Sequence, residues 1–238
     1  PQPRWPMQGC HTVAVSSQPH TPSQPAAVLF DMDGTLIDTE PMWMAAETAL
    51  VEEHGGTWTH DDALAMVGNP LEVSARIILD RTPVTLTEGE IIERLLREVS
   101  DQVAAGVPWR PGARELLGEC VERGIPTALV TMSWTLLADT FTATLPAGTF
   151  TTVVTGDAVS AGKPDPEPYL TAAERLGVDP TECLALEDSP SGVGSASAAG
   201  TRLVAIPLMV ELPETPNTVT VGTLAGETID SLWGRFRG

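Results

Sequence analysis

Short apolar runs alternate with amphipathic stretches along most of the chain. The first run, at 26–30, stops abruptly at Asp31, a pattern typical of a strand buried on both faces. Similar runs predict further strands at 125–130, 152–154, 183–186 and 203–206. Helical patterns separate them, at 112–123, 133–142, 166–177 and 190–199. Strands that alternate with helices predict an α/β fold, with a parallel sheet wrapped by helices.

The stretch 39–105 has helical patterns and no convincing strand. Asn69 and Pro70 fit the N-cap and first position of one helix. Thr87 and Glu90 fit a capping box at the start of another. We therefore predict an all-helical insert that follows the first strand of the sheet.

The chain is thus divided into an extension, a core and an insert. Residues 1–25 are rich in Pro, Gln, Ser and Thr and contain no apolar segment of a secretory signal, so we expect a disordered extension. The core is predicted at 26–38 and 109–238, and the helical insert at 39–108. Near the end of the core we expect an edge strand around 219–221 and a docking helix that carries Ile229, Leu232 and Trp233.

Composition and charge limit the classes of partner. Hydrophobic residues make up 42% of the chain, yet no apolar run approaches the ~20 residues of a membrane span. The net charge of −19 disfavours nucleic acid and anionic membranes. Three separated cysteines without a CxxC pair suit a reducing cytoplasm. We expect a cytoplasmic monomer or weak dimer that needs local positive charge to bind an anionic substrate.

The strongest chemical signal is a pair of acids where the first strand ends. Asp31 and Asp33 are two residues apart, so along an extended segment both side chains point the same way. Two anions this close repel each other unless a cation or a proton intervenes. Gly34 follows and allows a turn that other residues make poorly.

The Asp31-Met32-Asp33-Gly34-Thr35 segment resembles the first motif of the haloacid dehalogenase superfamily of phosphohydrolases. That family has three further motifs in a fixed order, and each has a match on a predicted strand end or before a helix. They are Thr131, Lys163 (the only lysine of the chain) and the acidic pair Glu187 and Asp188. The resemblance covers residues 26 to about 206 and implies a Rossmann-like core. The helical insert resembles the cap of the subgroup that contains phosphoglycolate phosphatases, sugar-phosphate phosphatases and β-phosphoglucomutase.

The resemblance implies a role for each acid. Asp31 would be the nucleophile that forms an aspartyl-phosphate. Asp33 would be the general acid for the leaving alcohol and then the base for water. Mg²⁺ would be the cofactor, bound by the carboxylates of Asp31 and Asp188 and the backbone carbonyl of Asp33. Glu187 would join this metal site through water or by orienting Asp188.

The resemblance also implies how the phosphoryl group is held. Thr131 would hydrogen-bond a phosphoryl oxygen, and Lys163 would neutralise charge during transfer. Further substrate contacts are expected from residues around these motifs and from the insert: Gly34, Thr35, Met132, Ser133 and Trp43. For Trp43 the alternative is a plain core position on the first helix of the insert.

Three functions are compatible with these motifs. We favour a phosphatase of a small phosphorylated metabolite, a class that includes sugar phosphates. The first alternative is a β-phosphoglucomutase-like transferase, but such members have a histidine where this chain has Trp43 and an arginine near Leu71. The second is a non-catalytic binding protein on the same fold. A dehalogenase is disfavoured, because those members lack an acid at the position of Asp33.

Overall fold

The computed structural model describes residues 23–66 and 69–237. Among them are six strands: β1 (Ala27–Phe30), β2 (Thr127–Val130), β3 (Thr152–Val154), β4 (Cys183–Glu187), β5 (Arg202–Ala205) and β6 (Thr218–Thr220). The α-helices of the described ranges are α1 (Glu40–Glu53), α2 (His60–Leu64), α3 (Leu71–Arg81), α4 (Glu88–Ala105), α5 (Ala113–Glu122), α6 (Thr135–Ala143), α7 (Glu167–Leu176), α8 (Pro190–Ala198) and α9 (Ile229–Gly234). Short 3-10 turns follow β3 and precede β4, at Gly156–Ala158 and Pro180–Glu182.

The strands form one parallel sheet in the order β3-β2-β1-β4-β5-β6. The central strand β1 pairs with β2 on one side and β4 on the other. The chain therefore winds outward in both directions from β1, which produces a switch in strand order beside this strand. Ligand sites of open parallel sheets lie at such a switch, outside the carboxyl ends of the strands.

Side chains of the central strands alternate between two buried layers, as the pleat requires. Phe30, Leu129 and Leu186 belong to one cluster, together with residues of α5, α6 and α9. Leu29 and Ala185 belong to the other, with residues of α7 and α8. Helices therefore cover both faces of the sheet, which explains why its strands read as continuous apolar runs.

The helices α1 to α4 follow β1 directly, and none of the six strands lies between residues 39 and 108. The predicted capping box holds: the Thr87 hydroxyl accepts from Glu90 N, and the Glu90 carboxylate accepts from Thr87 N. The prediction of Asn69 as an N-cap is wrong. Pro70 occupies that position without a side-chain hydrogen bond, and the Asn69 amide donates instead to the Ala65 carbonyl.

The remaining predictions divide between confirmed elements and positions that the structure does not describe. The sheet and its helices are confirmed, as are the edge strand β6 and the docking helix α9, whose Ile229, Leu232 and Trp233 are buried. Most of the predicted disordered extension, 1–22, lies outside the described residues. The boundaries of core and insert stay a prediction. Within the described ranges, no helix is both long and apolar enough to cross a lipid bilayer.

Candidate active site

The predicted site residues meet at the carboxyl end of the central strands. Asp31 follows β1, Thr131 follows β2, and Glu187 is the last residue of β4. These three strands are neighbours, so their ends lie side by side. Lys163 comes from the loop before α7 and reaches the same point.

Lys163 is a buried cation that joins two of the motifs. Its Nζ lies 2.7 Å from Asp31 Oδ1 and 2.6 Å from Glu187 Oε1, and it also donates to the Val130 carbonyl at 2.8 Å. Only 2% of the side chain is exposed. Burial lowers the pKa of Lys163, but the charges of Asp31 and Glu187 outweigh burial and raise it. The ammonium group therefore stays charged inside the protein.

Three acids surround this single cation. Asp31, Glu187 and Asp188 each place a carboxylate oxygen within 4.8 Å of the others. Burial, opposed by Lys163 and reinforced by Glu187, raises the pKa of Asp31 to about 7. Burial and the charges of Asp31 and Glu187 raise the pKa of Asp188 to about 9. The cluster thus has more negative charge than Lys163 can balance, and it favours a further cation or bound protons.

One carboxylate oxygen of Asp31 takes no part in the hydrogen bonds of this cluster. Asp31 Oδ2 is sealed from solvent and has no hydrogen-bond partner among the described residues. A sealed carboxylate oxygen without a partner is costly. Its position in a ring of acids, with oxygen donors only, fits a site for a hard divalent cation such as Mg²⁺.

Glu187 is already saturated by protein donors. Its Oε1 accepts from Lys163 and from the Tyr169 hydroxyl at 2.8 Å. Its Oε2 accepts from the backbone N–H of Asp188 and from the N–H and hydroxyl of Ser189. A Cβ at Gly192 would lie 1.9 Å from the Glu187 carboxyl carbon, so only glycine fits there. Glu187 therefore fixes Lys163 and the turn that carries Asp188.

Asp188 is held against the loop that follows β1. Its Oδ1 accepts from the Thr35 hydroxyl at 3.1 Å. Gly34 has φ +86°, and a Cβ there would lie 1.9 Å from Asp188 Oδ2. The glycine of the first motif is thus required by the approach of the fourth motif as well as by its own turn. Thr35 is fully buried beneath this contact, and its role as a substrate contact stays a prediction.

Asp33 is held by hydroxyl groups rather than by ion pairs. Its Oδ1 accepts from the Thr39 hydroxyl at 2.5 Å, and its Oδ2 accepts from the Ser133 hydroxyl at 2.7 Å and from the Thr131 hydroxyl at 3.3 Å. Thr131 Oγ1 also accepts from Ser133 N. The intervening Met32 is fully buried on the opposite side of the segment. The two aspartates therefore share one edge of the sheet but bind different partners.

Two other predicted contacts have mainly packing roles in this structure. Met132 places its sulfur 3.2 Å from Lys163 N, and it also packs against Gly162. Trp43 is partly buried and packs against the main core cluster. Their roles as substrate contacts stay predictions.

Two residues of the site escaped sequence reasoning. The Thr39 hydroxyl donates to Asp33, and the Tyr169 hydroxyl donates to Glu187 while its ring lies 5.3 Å from Lys163 Nζ. Tyr169 is the only tyrosine of the chain, six residues after the only lysine. The closeness of these two single residues in the sequence was the signal that could have identified Tyr169. Thr39 offered none, because threonine is common at helix starts.

A sequence model of haloacid dehalogenase-like hydrolases matches residues 28–206. The chain belongs to this family. It is 32% identical over 190 residues to hexitol phosphatase B of Escherichia coli K12, covering 79% of this chain and 86% of that protein. It is 34% identical over 175 residues to a phosphorylated carbohydrates phosphatase of Thermotoga maritima, covering 73% and 81%.

The same fold is found among solved structures of the family. The crystal structure of CbbY from Rhodobacter sphaeroides in complex with phosphate superposes with a TM-score of 0.78 at 25% identity, covering 87% of this chain and 99% of that one. These relatives confirm the predicted family and fold, and also the enzyme class, a hydrolase acting on phosphoric monoesters.

Proposed function

We propose that the protein is a Mg²⁺-dependent phosphatase that hydrolyses a small phosphomonoester through an aspartyl-phosphate on Asp31. The observation that carries the proposal is the sealed, unpartnered Asp31 Oδ2 beside the Lys163 ammonium group. One oxygen of the carboxylate is anchored by Lys163, and the other has no partner among the described residues. Hexitol and sugar phosphates are the first substrates to test, because the named relatives act on such compounds.

The residues present fit the metal. Asp31 and Asp188 would supply carboxylate ligands, and the Asp33 carbonyl would supply a third oxygen. None of the turn and loop backbone hydrogen bonds within the described ranges ends on that carbonyl. When bound, Mg²⁺ supplies positive charge that offsets the carboxylates and draws electron density from the phosphoryl oxygens. Glu187, with its oxygens saturated, orients Asp188.

Four side chains have separate roles in the proposed reaction. Asp31 attacks phosphorus, and the bond from phosphorus to the leaving oxygen breaks. Asp33 gives a proton to that oxygen and then removes one from the water that attacks the phosphorylated Asp31. Lys163 offsets negative charge near the transferring group, and Thr131 donates to a phosphoryl oxygen. The hydroxyls of Thr131 and Ser133 both donate to Asp33 Oδ2, which supports a shared site for these proposed roles.

The test is turnover of p-nitrophenyl phosphate and a panel of hexitol and sugar phosphates, with Mg²⁺ or with a chelator. We expect release of inorganic phosphate that needs the metal. Asp31→Asn should lower kcat by at least about 10³-fold, the scale of losing a covalent nucleophile. Metal-independent turnover, full activity of the Asn variant, or conversion of a hexose 1-phosphate to its 6-phosphate without free phosphate would contradict the proposal.

A further inference from the structure

Glu47, on α1, is a buried acid that forms no hydrogen bond with the catalytic residues that the structure describes. Its exposed fraction is 4%. Its Oε2 accepts from Trp58 Nε1 at 3.4 Å, which is long for an N–H···O hydrogen bond. No hydrogen bond from the described part of the chain reaches its Oε1. A buried carboxylate with so little compensation costs stability and calls for another purpose.

The second oxygen of Glu47 is not fully sealed. Three side-chain polar atoms of the described residues are sealed without a partner: Asp31 Oδ2, Ser100 Oγ and Arg202 Nη1. Glu47 Oε1 has no partner either, yet it is not among these sealed atoms. It therefore belongs to the small part of the side chain that still reaches accessible space.

The face of α1 that carries Glu47 starts at the catalytic site. Glu40, in the first turn of α1, lies close enough to Asp33 and Asp38 that their charges add to burial and raise its pKa to about 7. Glu47 comes seven residues later, which is two helical turns along the same face. The Glu40 charge acts in turn on Glu47. The open oxygen thus lies on the helix face that leads from Asp33 into the insert.

We propose that Glu47 is the hydroxyl-binding residue of a subsite in the helical insert, which recognises the polyhydroxylated leaving group of the phosphate ester. The inference rests on the proposed phosphatase function and extends it to substrate choice. A carboxylate with a free oxygen accepts hydrogen bonds from the hydroxyls of sugars and polyols. The Trp58 N–H lies 3.4 Å from Oε2, so Oε1 is the oxygen that remains for a hydroxyl.

The protonation of Glu47 suits this task. Burial raises its pKa to about 7, although the Trp58 hydrogen bond opposes the rise and the Glu40 charge adds to it. Near neutral pH the carboxyl group is therefore able to accept from a hydroxyl or, when protonated, to donate to one. A phosphate, in contrast, would be repelled by Glu40 and Glu47, so the subsite fits the neutral end of the substrate.

The experiment compares two kinds of leaving group. Glu47→Gln and the wild type are assayed on p-nitrophenyl phosphate, which has no hydroxyls, and on sorbitol 6-phosphate and glucose 6-phosphate. We expect kcat/KM of the variant to fall at least about tenfold on the better polyhydroxylated substrate, the scale of a hydrogen bond to a charged group. Turnover of p-nitrophenyl phosphate should not change. Glu52→Gln is the matched control, because Glu52 is an exposed glutamate on the same helix.

A purely structural role would give a different result. In that case Glu47→Gln would lower the melting temperature and reduce both activities equally, which would overturn the subsite. Equal kcat/KM of variant and wild type on every ester would overturn it too, with the phosphatase proposal intact. If the wild type hydrolysed none of the esters with Mg²⁺, the proposed function would fail and the subsite with it. Trp58→Phe, which lacks the N–H, should show a smaller loss of kcat/KM that is again confined to the polyhydroxylated esters.

Discussion

The two halves of the active site differ in the kind of contact that holds their aspartate. Asp31 lies in a dry, ionic half, where Lys163, Glu187 and Asp188 surround it. Asp33 lies in a hydroxyl-lined half, where it accepts from the hydroxyls of Thr39, Thr131 and Ser133. The first environment suits a fixed nucleophile that needs a cation. The second suits a group that must exchange a proton and move, because hydrogen bonds to hydroxyls break and re-form at a small cost in free energy.

Removing the ammonium group of the ionic half should have the largest effect on stability. Lys163→Ala leaves Asp31 and Glu187 buried without their cation, and breaking such a pair costs about 3–5 kcal/mol. We expect urea unfolding to shift by that amount and activity to fall by at least about 100-fold. Arg97→Ala, which removes an exposed i,i+4 pair, is the control and should cost less than about 1 kcal/mol. A mild loss at Lys163 would show that the ionic half tolerates an unpaired acid.

The general-acid role of Asp33, in the hydroxyl-lined half, is tested by changing the leaving group. Asp33→Asn keeps the hydroxyl contacts but cannot transfer a proton. We expect kcat on alkyl phosphates to fall by about 10²–10⁴-fold. The fall should be smaller for p-nitrophenyl phosphate, since p-nitrophenolate leaves readily without protonation. Equal losses on both substrates, measured in the same buffer, would count against a general-acid role for Asp33.

The excess negative charge of the ionic half should appear as pH-dependent stability. Burial and neighbouring acids raise the pKa of Asp188 to about 9 in the folded chain, against about 4 in an unfolded one. The folded chain therefore keeps a proton that the unfolded chain releases, and the metal-free protein loses stability as pH rises from 4 towards 9. Asp188→Asn cannot ionise, so this loss should shrink.

The measurement is the free energy of unfolding in urea with a chelator, from pH 5 to 8. The free energy of unfolding of Asp188→Asn should increase relative to that of the wild type as pH rises. Mg²⁺ should stabilise the wild type but not the variant. Asp61→Asn, at an exposed position, is the control. Parallel pH curves for Asp188→Asn and the wild type would refute the charge imbalance.

The smallest effect is expected from the hydrogen bond that supports the ionic half. Tyr169→Phe removes the hydroxyl that donates to Glu187 at 2.8 Å and keeps the ring near Lys163. A net hydrogen bond of about 1 kcal/mol corresponds to roughly a fivefold loss. We expect kcat to fall by that factor with little change in KM, because Tyr169 positions Lys163 through Glu187 and does not touch substrate. A change in KM alone would contradict this positioning role.

The same contrast explains what the sequence could predict. Asp31, Lys163 and Asp188 stand out because strand ends and a solitary lysine mark them, and the topology of a parallel sheet brings such ends together. The hydroxyls around Asp33 come from residues as common as Thr39, whose contact depends on how the loop after β1 folds. The sequence pattern did not identify Glu47 for another reason. On a helix, an acid that faces the protein interior can have the same spacing as one that faces water.

Local signals were less reliable where the chain bends. The Thr87 capping box is made by side chain and backbone within three residues, so the sequence suffices. Asn69 offered an equally good N-cap, but its amide bonds the end of the preceding turn at Ala65, and the helix begins after Pro70.

The central claim is that Asp31 accepts the phosphoryl group. Rapid acid quenching of the enzyme during turnover of a ³²P-labelled ester, followed by peptide mapping, tests it most directly. We predict acid-stable, hydroxylamine-sensitive label on the peptide that contains Asp31, and more of it in Asp33→Asn with an ester of a good leaving group, since loss of the base slows hydrolysis of the intermediate. Steady turnover with no protein-bound label at the earliest times, or label on another residue, would contradict the account.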